Sequence, residues 1–323
     1  MTRTFLPALL ILVAPICAHS ELRSYFADSN TLHLWHLDDV GAPATDLGTS
    51  PLPLPVLAGG ATLGNPSLGG FGTALSTFDS GLTGTPASLD AALSALPLVN
   101  GAGDNTTLTY SSALNGAFTF EALVRIDADL TQTFAGSARG VAPMHIFSGE
   151  GESNAERIWQ LRLDPIGFNP NADGVTAALT SPALEFINVN SGAAQNRVTL
   201  LPMTGPNAVA SGVWFHVAVA YDGNEGIANN LSIYWTRADP TRTTADLLIQ
   251  RQLDTDLPLG TPDFAIGNIG RNPSASNFVG LIDEVRISDV ARAPNAFIFV
   301  PEPSAMLCAA SGVAFFAMRR RRG

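Results

Sequence analysis

The chain has 323 residues, of which 46% are hydrophobic and 14% charged, a composition too apolar for an intrinsically disordered protein. The formal net charge of −11 argues against a nucleic-acid binder, because phosphate binding needs a basic face. All basic residues are arginine, and four of them end the chain. The two cysteines, Cys17 and Cys308, lie in terminal apolar segments. No disulfide can therefore support the body, whose stability must come from an apolar core.

Residues 1–20 have the parts of a secretory signal peptide. Arg3 supplies the positive charge, Phe5–Ile16 forms a short apolar stretch, and cleavage could follow the small residues Ala18 or Ser20. The apolar stretch is too short to be a membrane-spanning helix. The sequence therefore predicts export of the chain.

The body of the chain is a succession of short strand patterns. Period-two alternation or short apolar runs predict strands at 32–37, 118–126, 157–163, 213–221, 231–235, 247–253, 264–269 and 278–287. Trp35, Trp159 and Trp235 alternate in step with leucine or isoleucine and are predicted core residues. A weak helix candidate lies at 87–96. Many strands separated by Gly, Asn and Pro turns predict an all-β sandwich or barrel.

The C-terminal residues 298–323 combine three features in a fixed order. A Pro-Glu-Pro run precedes fifteen uncharged residues at 304–318, and an arginine run follows. An apolar segment followed by cations acts as a stop-transfer signal. Fifteen residues span about 22 Å as a helix, so the sequence predicts a short, transient transmembrane anchor. Outside the apolar segment, the candidate residues of this C-terminal signal are Pro301, Glu302, Pro303, Arg319, Arg320, Arg321 and Arg322.

This tail resembles the PEP-CTERM sorting signal. The resemblance implies export in a Gram-negative bacterium and an exosortase-type sorting enzyme as a partner. It also implies delivery to the cell envelope, the cell surface or an extracellular polysaccharide matrix.

Five motifs in the body occur in the order found in one family. Gly212–Gly223 reads GVWFHVAVAYDG, Gly280–Ile287 reads GLIDEVRI and Phe118–Ala122 reads FTFEA, while LWHLD at 34–38 and FGTAL at 71–75 come earlier. Together they resemble the laminin-G-like, concanavalin A-like domains. The resemblance implies an antiparallel β-sandwich of the jelly-roll type over residues 21–297.

The carboxylates do not form a recognisable catalytic pattern. Glycoside hydrolysis needs two carboxyl groups that flank one bond, and the E-x-D-x-x-E spacing of related glucanases is absent, as are GxSxG and HExxH. Asp283 and Glu284 are adjacent, so in a regular strand they point to opposite faces. The sequence favours a protein that is not an enzyme.

Asp283 is the candidate metal ligand. In a regular strand it shares a face with Leu281, Val285 and Ile287, where an ionised carboxylate must be neutralised, hydrogen-bonded or metal-bound. Asp38 and Asp39 follow the opening strand, which the family places near the last strand, and calcium prefers oxygen ligands. One interpretation is a structural calcium held by Asp283 with Asp38 or Asp39. The alternative is that Asp283 accepts backbone N–H bonds without an ion.

The non-core faces of several strands carry side chains that suit a carbohydrate or protein ligand. The candidate binding residues are Glu121, Arg125, Arg162, Trp214, His216 and Arg286. If their strands lie side by side, the face can hydrogen-bond hydroxyl groups and stack on a sugar ring. The alternative is a self-satisfied ionic network.

These patterns predict an exported, non-catalytic protein, sorted to the surface or matrix, whose jelly roll binds extracellular polysaccharide or a surface protein. Two rival hypotheses remain open at this point. One is a polysaccharide-active hydrolase or lyase with an unrecognised site, and the other is a purely structural matrix component.

Overall fold

The structure is a computed structural model, and it describes residues 20–77, 92–94, 116–131, 142–150, 157–189, 195–258, 263–269 and 276–301. The predicted apolar segment 304–318, the arginine run and nearly all of the predicted signal peptide lie outside the described residues. In the described part of the chain, no helix is long and apolar enough to cross a membrane.

The described residues form strands joined by turns, with one short 3-10 helix at Pro294–Ala296. The strands are β1 (Ser20–Leu22), β2 (Thr31–Trp35), β3 (Val56–Ala58), β4 (Thr62–Pro66), β5 (Thr73–Ser76), β6 (Ala92–Ser94), β7 (Phe118–Ile126), β8 (Met144–Glu150), β9 (Arg157–Asp164), β10 (Ala183–Asn188), β11 (Gln195–Leu200), β12 (Trp214–Tyr221), β13 (Leu231–Arg237), β14 (Leu247–Arg251), β15 (Phe264–Ile266), β16 (Gly280–Ser288) and β17 (Phe299–Pro301).

Two large antiparallel sheets make up the fold. One has seven strands in the order β11-β10-β9-β8-β15-β6-β3. The other has eight, in the order β14-β13-β12-β7-β16-β5-β4, with β2 paired to β16. A separate two-stranded sheet joins β1 to β17. The prediction of an all-β antiparallel sandwich is therefore confirmed.

The main core lies between the two large sheets and follows the period-two pattern of the strands. In β7, Phe118, Phe120, Ala122, Val124 and Ile126 all point into it, because alternate side chains of a strand share a face. The predicted core tryptophans Trp35, Trp159 and Trp235 are buried there, which confirms that prediction.

A second apolar cluster lies on the outer face of the eight-stranded sheet. Phe297, Ile298 and Phe299 pack there with Tyr25 and Trp214. Chain segments from both ends of the described region thus cover part of this face. The outer side of a sandwich sheet commonly faces solvent, but here the centre of the face is buried.

The helix candidate at 87–96 is wrong at residues 92–94, the part of it that the structure describes. Residues 92–94 of the segment 87–96 form β6, which pairs with β3 and β15 in the seven-stranded sheet. The backbone ladder overrides the helix propensity of this alanine- and leucine-rich stretch, because propensity is a weak prior against tertiary pairing.

Candidate functional site

A β-bulge in β16 positions the acidic residues of the last long strand. The pairing of β16 with β7 runs from Asp283↔Leu123 directly to Arg286↔Glu121, so β16 has one extra residue in this interval. Glu284 adopts a positive φ of 49° at this point. The bulge is the reason that the regular-strand prediction fails here.

The bulge corrects two predictions about faces. Asp283 does not share a face with Val285 and Ile287, which belong to the main core, whereas Leu281 belongs to the outer cluster. Glu284 lies beside the outer cluster as well, because its carboxylate accepts a hydrogen bond from Tyr25, a member of that cluster. A single extra residue shifts the alternation of everything that follows it.

Asp283 is buried and hydrogen-bonded within the protein. Its carboxylate accepts hydrogen bonds from the Ser67 hydroxyl and, at 2.7 Å, from the Glu284 backbone N–H. Burial raises the pKa of Asp283 well above its usual value, and the nearby charges of Glu284 and Asp38 raise it further. Both effects favour the protonated, uncharged form of the Asp283 carboxyl group.

Of the two partners predicted for Asp283, Asp38 is the one whose charge acts on it. Asp38 Oδ1 accepts the Thr73 backbone N–H at 2.6 Å, next to Gly72, where a Cβ atom would lie only 2.1 Å from that oxygen. Asp39 instead binds Thr45, through the backbone N–H at 2.8 Å and the hydroxyl at 3.1 Å. Among the described residues, no group of three or more His, Cys, Asp or Glu side chains is placed to hold a metal ion.

Glu284 links the bulge to the N-terminal segment. Its Oε2 accepts the Tyr25 backbone N–H at 2.9 Å, and its Oε1 lies 2.8 Å from His36 Nδ1. Burial lowers the pKa of His36, but the hydrogen bond and the charge of Glu284 outweigh that effect, and the net shift is upward. Glu284 thus favours the protonated form of His36.

Three of the predicted binding residues form one buried network. Arg286 Nε donates to Glu121 Oε1 at 2.6 Å, and Glu121 Oε2 accepts the Tyr25 hydroxyl, also at 2.6 Å. His216 Nε2 lies 2.9 Å from the same hydroxyl. The Arg286 guanidinium stacks 3.7 Å above the Tyr25 ring and donates to the Ala296 carbonyl at 3.0 Å.

The terminal segments cover most of this network. The ring of His216 contacts Phe297 and Phe299, with centroid distances of 4.9 and 5.5 Å. Burial alone would raise the pKa of Glu121, but Arg286 and His216 outweigh it and lower that pKa to about 2. Burial lowers the pKa of His216. Glu121 and His216 are fully buried in this ionic network, whereas Arg286, at 3% exposure, lines a groove of about 330 Å³ with Tyr25 and Phe297.

Arg125 and Trp214 are the predicted binding residues at the edge of this covered face. They are direct cross-strand partners, and the guanidinium lies 5.9 Å from the Trp214 ring. Arg125 is held in place by Asp127, with Nε–Oδ1 and Nη2–Oδ2 distances of 2.8 Å.

A shallow groove of about 430 Å³ runs beside Arg125. It is lined by Asn65, Pro66, Ser76, Arg125, Asp127 and Leu281. Leu281 pairs with Arg125 on one side and Ser76 on the other, so three neighbouring strands form its floor. We call this the Arg125 groove. It presents amide, hydroxyl, guanidinium and carboxylate groups next to an apolar floor.

Arg162 lies on the other sheet, which corrects the prediction of a single binding face. Its strand β9 belongs to the seven-stranded sheet, whereas the other five residues belong to the eight-stranded one. Arg162 donates to Glu185 Oε2 at 2.8 Å from Nε and 2.5 Å from Nη2. Its Nε is 3.2 Å from Asp164 Oδ1. Sequence alternation gives the face of a residue within its sheet, but not which sheet its strand joins.

Around Arg162 lies a polar cluster that the sequence patterns did not single out. The members are His145, Glu150, Gln160, Arg162, Asp164, Glu185 and Asn196. Burial raises the pKa of Asp164 well above its usual value, and the opposing charge of Arg162 does not outweigh it. The ring of Phe168 covers the Arg162 guanidinium at 5.2 Å. The carboxyl groups of Glu150, Asp164 and Glu185 are all buried.

Comparison with known proteins identifies the C-terminal signal. Residues 299–322 match the PEP-CTERM protein-sorting motif. No curated protein sequence matches the chain.

Several solved structures resemble the fold in part. One is domain 4 of AbnA, an extracellular arabinanase from Geobacillus stearothermophilus, in complex with arabinotriose. It is 15% identical to this chain, and the match covers 86% of this chain and 97% of that domain, with a TM-score of 0.43. The CBM40 domain of a Ruminococcus gnavus sialidase, bound to sialyllactose, is 13% identical. The match covers 61% of this chain and 90% of that domain, with a TM-score of 0.39. The binding domain of botulinum neurotoxin DC is 14% identical over 83% of this chain, with a TM-score of 0.45, and the chain spans about half of its length.

Proposed function

We propose that the protein is an exported, non-catalytic component of the cell surface or extracellular matrix. In this proposal, residues 1–20 direct export, residues 21–297 form a laminin-G-like jelly roll, and residues 298–323 are the sorting signal. The observation that carries the proposal is the sorting-motif match at 299–322. The tail anchors the chain transiently through 304–318 until an exosortase-type enzyme acts on it.

The arginine run offers a direct test of sorting. Replacing Arg319–Arg322 by glutamine removes the cations that keep the end of the tail cytoplasmic. We expect the variant chain to be exported but lost to the medium, whereas the unaltered chain stays with the cell surface. Cell fractionation followed by immunoblotting measures both pools. Equal surface pools for the two chains would contradict the role of the tail.

We also propose that the jelly roll binds extracellular polysaccharide at the Arg125 groove. Ion-pairing with Asp127 pre-orients the guanidinium, which lowers the entropy cost of binding hydroxyl groups. The apolar floor of the groove suits the faces of sugar rings.

Catalysis and binding are separable with the intact protein. The full chain is applied to a glycan array and, in parallel, incubated with the exported polysaccharide of the producing cells. We expect capture on the array without any release of reducing ends. Product formation would favour the hydrolase or lyase hypothesis, and neither capture nor product would favour a purely structural component.

A calcium ion at Asp283 and Asp38 is a further part of the proposal. The proximity of the two carboxyl groups supports it, because the charge of Asp38 acts on Asp283 and a hard divalent cation prefers carboxylate oxygens as ligands. When bound, the ion would neutralise Asp283 and tie β16 to the segment after β2. Isothermal titration calorimetry of chelator-treated protein tests the site. We expect heat of binding and a raised melting temperature with calcium, and their absence would remove the metal from the account.

A further inference from the structure

The sorting motif begins inside the folded structure. Its match starts at Phe299, and Phe299–Pro301 is β17. This strand pairs with β1 in the register Ser20↔Pro301, Glu21↔Val300 and Leu22↔Phe299. We call this two-stranded sheet the terminal clamp. The partner strand consists of the first residues after the predicted signal peptide and its last residue, Ser20.

Backbone hydrogen bonds extend the terminal clamp toward the domain. The Arg23 N–H donates to the Ile298 carbonyl at 2.9 Å. Because hydrogen-bonded pairs alternate in an antiparallel ladder, Glu21 and Val300 form the next such pair. Pro301 then falls opposite Ser20 at a position that needs no N–H donor, which is where proline is tolerated in a strand.

Side-chain packing anchors the clamp on the eight-stranded sheet. Phe297, Ile298 and Phe299 are buried, and the two phenylalanine rings contact His216. Phe297 also meets Tyr234 edge-on at 5.2 Å. Peptide bonds from 297 to 299 are therefore inaccessible to an enzyme that needs an extended, free substrate.

We propose that the N-terminal strand of the exported chain clamps the start of the sorting motif and so sets where the tail can be cut. This rests on the proposed function, in which a sorting enzyme processes the tail. The bond that breaks lies C-terminal to Pro301. Its acyl group passes to water or to an acceptor amine, and the departing tail keeps the new amino group. The trimmed end remains paired with β1 after the cut.

The test uses the full chain in its producing cells. Arg23→Pro removes the N–H that donates to Ile298, and Arg23→Ala is the matched control because it removes the side chain but keeps that donor. Intact-mass spectrometry of surface-extracted protein reads the C-terminal residue. We expect a terminus at or after Pro301 in the unaltered chain and in Arg23→Ala. In Arg23→Pro we expect at least a tenfold rise in termini that precede Phe299.

Two results would overturn the clamp: a terminus before Phe299 in the unaltered chain, or the same terminus in Arg23→Pro as in Arg23→Ala.

If Arg23→Pro does not accumulate, hydrogen exchange of the purified, unaltered chain decides instead. The Val300 amide should exchange at least a hundredfold more slowly than in an unfolded peptide, and exchange at the unfolded rate would refute the clamp. A chain that retains its whole tail would contradict the sorting proposal, while the exchange measurement still tests the clamp separately.

Discussion

At the scale of single residues, the central feature is a charged pair with almost no contact with water. Glu121 and Arg286 are both buried, and their ion pair is completed by Tyr25, His216 and the Ala296 carbonyl. Removing water from two charges is costly, so such a pair is stable only when its other hydrogen-bonding groups are also satisfied. Breaking it from one side leaves the other charge buried and unpaired.

Glu121→Gln should therefore destabilise the fold by about 3–5 kcal/mol, because Arg286 loses its counter-charge in a buried setting. The matched control is Asp246→Asn, which breaks the Arg242–Asp246 pair between more exposed side chains. We expect the control to cost less than about 1 kcal/mol. Urea unfolding followed by tryptophan fluorescence measures both. Equal losses would show that Glu121–Arg286 contributes no more than a surface pair.

The same pair predicts a dependence of stability on pH. The pKa of Glu121 is lowered from an ordinary 4.5 to about 2, so its contribution is complete above pH about 4.5 and is lost as the pH falls toward 2. The loss amounts to about 3 kcal/mol at 1.36 kcal/mol for each pH unit. The difference in unfolding free energy between the unaltered chain and Glu121→Gln should shrink over this window. Parallel pH curves for the two proteins would contradict the assignment.

Residue identities predicted much of this chemistry, but not its burial. The period-two alternation of the strands correctly places Glu121, His216 and Arg286 on the same non-core face, since β7, β12 and β16 are neighbours in one sheet. Nothing in those strands indicates that Tyr25 and Phe297, from distant parts of the sequence, lie over them. The prediction therefore identified the residues that interact, whereas their lack of solvent contact depends on long-range packing.

At the scale of elements, Gly280 controls the junction of β7 and β16. It has a φ of 148°, and a Cβ atom there would lie 1.9 Å from the Arg125 carbonyl oxygen. Backbone carbonyls cannot move aside as the end of a flexible side chain can. The glycine thus permits the close approach of the two strands directly beneath the Arg125 groove.

Gly280→Ala should lower the unfolding free energy by about 2–4 kcal/mol, through backbone strain and displacement of β7. Gly41→Ala is the control, since a Cβ at that position meets no atom within 4 Å. We expect the control to stay within about 0.5 kcal/mol of the unaltered protein. Thermal unfolding by circular dichroism compares the two variants. A stable Gly280→Ala protein would mean that the β7–β16 junction is looser than described.

Strand prediction succeeded where alternation was regular and failed where it was not. The predicted 118–126 coincides with β7, whose inward residues are all apolar. The strands β8, β10 and β11 were missed, because polar residues such as His145, Glu150, Glu185 and Asn196 interrupt their apolar pattern. The bulge in β16 could not be foreseen either, since its extra residue is defined only by pairing with β7.

At the scale of the whole molecule, the sandwich brings its two ends together and leaves binding chemistry at the margin of the same sheet. The terminal clamp and the buried network occupy the centre of the outer face, and the Arg125 groove lies beside them. In the proposed function, the tail delivers the domain to the surface, where the groove meets polysaccharide. In this proposal, delivery depends on the tail and binding depends on the Arg125 groove.

The most direct test of this account is titration calorimetry of the full chain with the exported polysaccharide of its producing cells. Arg125→Met removes the guanidinium from the groove, and Arg251→Met is the matched control. The two side chains are equally accessible, at 32% and 33%, and each pairs with an aspartate. We predict saturable binding that weakens at least tenfold in Arg125→Met and is unchanged in Arg251→Met. Binding that is absent from the unaltered chain, or equal in the two variants, would contradict the account.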